Sequence, residues 1–66
     1  MTHYFSESQI KKQVDKANKL MREHKNIEVV GILRCAIQFA EDKTNPIEKR
    51  LRTIQEAILQ GENDEC

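Results

Sequence analysis

Apolar residues recur along this chain with the period of a helix. Ile10, Val14, Ala17 and Met21 follow one another at steps of four, three and four, with His24 next in the rhythm, which is a narrow seam of the kind found in coiled coils. The residues opposite that seam are charged. Ile47, Leu51, Ile54 and Ile58 repeat the same spacing further on. Between these two seams lies a denser stretch, in which Ile27, Val29, Val30, Ile32, Leu33, Cys35, Ala36, Ile37, Phe39 and Ala40 are apolar. Its β-branched content would suit a buried strand, but its period does not. At about 100° per residue, Glu28, Gly31, Arg34, Gln38, Glu41 and Asp42 gather into one arc of roughly 140°. Alternation by two would instead put Val30 and Ile32 on the face of Glu28 and Arg34. The pattern therefore predicts three helices.

Start and stop signals set their limits. Ser6 stands three residues before Gln9, the spacing at which the hydroxyl accepts from the Gln9 N–H while the Gln9 side chain accepts from the Ser6 N–H. Phe5 and Ile10 flank that box as a hydrophobic staple. Asn26 is the expected N-cap of the second helix, in which Gly31 is a weak point costing about 1 kcal/mol relative to alanine. Asn45 is the expected N-cap of the third helix, with Pro46 at the first helical position and Glu48 three residues after the cap. Gly61 stands where a left-handed C-terminal cap belongs. The expected helices cover about 7–24, 27–42 and 46–60, in a single domain of residues 1–61 followed by a flexible acidic tail, 62–66.

Two narrow seams and one broad apolar face predict an all-α three-helix bundle, with the second helix most buried because it packs on both neighbours. Val30, Ile37 and Phe39 lie towards opposite edges of that broad face, and Leu20 and Leu59 lie off the seams of their own helices. These five are the expected protein interface.

Composition sharpens that expectation. A chain of 66 residues hides only about 60% of the surface that its unfolded form exposes, so its margin as a monomer is thin. Two cysteines, Cys35 and Cys66, cannot build a disulfide framework. Burial against a partner is the remaining support, and an oligomer, most simply a homodimer through the second helix, is expected. No apolar stretch reaches the length of a membrane span, and Met1-Thr2-His3-Tyr4 lacks the build of a signal peptide. A soluble, cytoplasmic protein without membrane association is expected.

The formal charge is zero, but it is unevenly spread. Through residue 25, six cations face three carboxylates, giving +3, whereas Glu62, Asp64 and Glu65 make the tail −3. The cations of the first helix, including Lys12, Lys16 and Lys19, project away from its seam. With Lys49, Arg50 and Arg52 at the start of the third helix, they define an alternative reading. This is a small DNA-binding regulator whose third helix reads bases while the first helix holds phosphates. No aromatic residue is interleaved for stacking, and the neutral total is unlike a nucleic-acid domain.

Catalytic chemistry finds little purchase. His3 and His24 have no serine or cysteine nucleophile placed beside them by a recognisable motif. His24 suits a helix C-terminus or a seam position. His3, His24, Cys35 and Cys66 lack the paired spacing of zinc ligands. Catalytic, metal and cofactor sites are therefore not expected, nor is a small-molecule substrate. The expected function is that of a small non-enzymatic interaction module, a regulator, inhibitor, adaptor or co-chaperone acting through apolar helix faces.

Overall fold

In the computed structural model, which describes residues 5–63, three helices follow one another: α1 (Glu7–Glu23), α2 (Ile27–Glu41) and α3 (Ile47–Asn63). Each contacts both of the others, so the arrangement is an all-α three-helix bundle. His3, Cys66 and tail residues 64–66 lie outside the described residues.

The helix starts follow the local chemistry closely. Ser6 Oγ accepts from the Gln9 N–H at 3.4 Å while Gln9 Oε1 accepts from the Ser6 N–H at 2.9 Å, the reciprocal capping box. Asn26 Oδ1 accepts from the Glu28 N–H at 2.9 Å and caps α2. The start of α3 differs by one residue from the sequence expectation. The Pro46 carbonyl accepts the first intrahelical bond, from the Arg50 N–H at 3.0 Å, so Pro46 takes the cap position and Ile47 the first helical one. Before it, Asp42 accepts from both the backbone N–H and the hydroxyl of Thr44, at 3.1 and 2.6 Å. These bonds tighten the turn and hold the Asp42 carboxyl below its ordinary value.

The end of α3 is a correction. Gly61 is not a left-handed cap: no glycine has positive φ, and the helix runs through Gly61 to Asn63. Glu62 and Asn63 are thus helical rather than part of a tail. The reason is tertiary. Gly61 is buried, and a Cβ placed on it would meet Val29 Cγ1 at 3.4 Å, Leu33 Cδ1 at 3.6 Å and Leu20 Cδ2 at 3.7 Å. The small residue lets α1 and α2 close on the last turns of α3. The Gly61 carbonyl accepts from His24 Nε2 at 3.0 Å, and a Lys16–Glu62 ion pair at 3.4 Å spans the same end.

The core is formed by Ile10, Val14 and Ala17 of α1, Val29, Leu33, Ala36, Ile37 and Ala40 of α2, and Leu51, Ile54, Ala57 and Ile58 of α3. Leu20, Met21 and Ile47 pack against it. Burial is shared by α2 and α3 rather than led by α2. Arg50 and Gly61 join the buried side of α3, whereas Ile27 and Ile32 of α2 remain 85% and 43% exposed.

Candidate functional site

One side of α2 is left open by the bundle. With Leu33 pointing into the core, a turn of about 100° per residue sets Ile32, Phe39, Glu28 and Cys35 successively further round one flank. Val30 and Ile37 lie on the other flank. The uncovered flank meets α3 across an open groove of about 840 Å³, whose floor and walls include Gly31, Ile32, Cys35 and Phe39 from α2 and Thr53 and Ala57 from α3. Glu28, Glu56 and Gln60 rim it. The lining is mostly apolar, and Cys35 is an exposed free thiol within it.

The five residues expected at an interface are dispersed by the fold. Phe39, half-buried, lines the groove. Ile37 is 9% exposed and belongs to the core, so it is not available at a surface. Leu20 packs on that core beside Gly61, and Val30 is half-buried on the flank away from the groove. Leu59 is 58% exposed but does not line the groove. Gly31, Ile32, Cys35, Thr53 and Ala57 were not among the expected interface residues. The sequence carries a signal for Ile32 and Cys35: with Phe39 they follow at steps of three and four, one row outside the buried stripe.

The basic residues separate just as sharply. Lys12, Lys16, Lys19, Lys49 and Arg52 are exposed. Arg50 is a correction to the base-reading expectation, because its side chain is buried and committed to the fold. Its Nε donates to the Ala40 carbonyl at 2.7 Å, while Nη1 and Nη2 donate to the two Glu7 carboxylate oxygens at 2.9 and 3.0 Å. One guanidinium therefore binds the end of α2 and the first turn of α1 from within α3. Such a fork suits arginine, whose planar donors match a carboxylate two at a time. The Arg50 hydrogen bonds hold the Glu7 carboxyl below its ordinary 4.5, and the same bonding raises the guanidinium value.

Among the described residues, no group of three or more His, Cys, Asp or Glu is gathered as a metal ion would require. His24 is spent on the Gly61 carbonyl, an acceptor, so its Nε2 carries the proton of that bond. No described helix is long and apolar enough to cross a membrane. No protein-family model matches this chain, and neither a curated protein nor a solved structure does.

Proposed function

We propose that this chain is a small non-enzymatic protein–protein interaction module, a regulator, inhibitor, adaptor or co-chaperone, that works through the apolar groove between α2 and α3. The observation that carries this reading is the row of exposed Ile32 and Cys35 and half-buried Phe39 that lines the groove beside Ala57. A 66-residue chain that leaves such a row open on a thin stability margin gains from a partner that closes it. Phe39 is the natural anchor, since interface energy concentrates in a few large side chains seated in pockets. The cytoplasm is the compartment this reading favours, because there the Cys35 thiol stays reduced. The commitment of Arg50 to Glu7 and Ala40 removes the central cation from a base-reading surface, and this favours a protein partner over DNA.

Salt separates the two partners. The native mass of the chain recovered from its own cells should exceed 7.7 kDa and should hold as salt rises from about 0.15 to about 1 M, because apolar contacts are not screened. A complex containing nucleic acid that falls apart over that range would overturn the reading.

A further inference from the structure

The groove between α2 and α3 has the shape of a seat. Phe39 is half-buried and forms part of its lining instead of projecting from it. Gly31 leaves room, since a Cβ placed there would meet nothing within 4 Å. A surface of this shape takes an apolar side chain from elsewhere, and its charge says what kind of segment brings one. Glu28 on the α2 wall and Glu56 on the α3 wall are both exposed, and no cation lines the groove with them. Lys49 and Arg52 line a neighbouring depression, with Pro46 and Glu48, that shares Thr53 and Glu56. The ion pairs formed among the described residues are Arg50–Glu7 and Lys16–Glu62, so neither groove carboxylate is spent on a cation of the bundle. The two are also set apart along the groove. α2 and α3 run antiparallel, because Arg50 reaches Ala40 while Gly61 lies against Val29 and Leu33. That register puts Glu56 level with Cys35, seven residues beyond Glu28, or about 10.5 Å at 1.5 Å per residue.

Resting on the groove as the working surface, we propose that its occupant is an amphipathic helix of a different protein. Its apolar stripe is flanked on both sides by lysine or arginine, about two turns apart. Laid in the groove, such a helix completes a four-helix bundle. Its stripe covers Ile32, Cys35, Phe39 and Ala57, and its flanking cations meet Glu28 and Glu56, as charges beside the seam of a coiled coil set the choice of partner. A second copy is the poorer occupant, because pairing this groove with itself on a two-fold gathers four carboxylates with no cation between them. Apolar contact supplies most of the affinity and the carboxylates supply the choice. Association therefore outlasts added salt, while the preference for a basic partner weakens with it.

The test titrates the full chain with two fluorescent three-heptad helical peptides. They share alanine at a and leucine at d, and carry either lysine or glutamate at every e and g. At about 0.15 M salt, the lysine peptide should bind at least tenfold more tightly than the glutamate peptide. Glu28→Lys with Glu56→Lys should reverse that order, and Ile32→Asp should weaken the lysine peptide at least tenfold. Because Glu28 lies in the first turn of α2, where a carboxylate suits the helix dipole, Glu28→Gln with Glu56→Gln is the milder pair. It should erase the preference with helix content unchanged by circular dichroism. A preference for lysine that survives in the glutamine pair would overturn the proposal. Equal binding of both peptides, lost in Ile32→Asp, would overturn the basic partner and keep the groove as the working surface. Binding that Ile32→Asp leaves unchanged would overturn both. No binding of either peptide up to about 1 mM would overturn the helical occupant. A mass of twice 7.7 kDa for the chain alone, undone by Ile32→Asp, would overturn the different protein in favour of a second copy.

Discussion

Arg50 places three hydrogen bonds on two other helices from a single buried side chain. Removing it would leave the Ala40 carbonyl, near the end of α2, without its side-chain donor, and Glu7 without its counter-charge. Both Arg50→Met and Arg50→Lys should therefore lower the thermal midpoint, the lysine included because an ammonium cannot form the fork. Acid reads the same contact. Hydrogen bonding to Arg50 keeps Glu7 below its ordinary value in the folded state. The pair's contribution is thus complete above that ordinary value and is lost as pH falls through the depressed one. Urea unfolding at neutral pH and at about pH 3 should show a smaller acid loss in Glu7→Gln than in the wild type. Gly61 makes the opposite point about size. Alanine there fits at ordinary contact distance from Val29, Leu33 and Leu20 and should hold or raise stability by up to about 1 kcal/mol. Leucine should overpack the site and cost about 1–3 kcal/mol, read as a lower thermal midpoint.

At the scale of the helix, local signals govern where each one begins. The Ser6–Gln9 box has both of its bonds, and the double substitution Ser6→Ala, Gln9→Ala should cost about 1 kcal/mol in chemical unfolding. The starts of α1 and α2 were legible in the sequence, and that of α3 to within one residue, because capping is written in two or three adjacent residues. The end of α3 was not, because Gly61 serves a close approach by side chains from α1 and α2 that lie far from it in the chain. Arg50 was unreadable for the same reason. Nothing in the local run Lys49-Arg50-Leu51-Arg52 separates the arginine that turns inward from the one that stays in solvent, since its partners are 43 and 10 residues away. The broad apolar face of α2 was legible as a face, but which flank stays open depends on where α1 and α3 lie. Ile37 and Phe39 accordingly fell on different sides of that decision.

For the whole molecule, three helices of 15 to 17 residues close around a core in which Leu33 and Ile54 are the largest fully buried side chains. Truncating either to alanine should cost about 2–5 kcal/mol. That loss is comparable with the whole stability expected of a chain this short, so Leu33→Ala should be largely unfolded by circular dichroism unless a partner holds it. Core and groove share α2: Leu33 and Ala40 sit in the core, Ile32 and Phe39 line the groove, and Ala36 belongs to both, so the helix that completes the monomer also offers its open flank outward. The central claim is that this flank is the working surface. Its most direct test is the native mass of the chain recovered from its own cells, for the wild type and for a folded Phe39→Glu variant. The wild type should emerge in a complex heavier than 7.7 kDa and the variant at its own mass alone, whereas the same complex recovered with both would contradict the account.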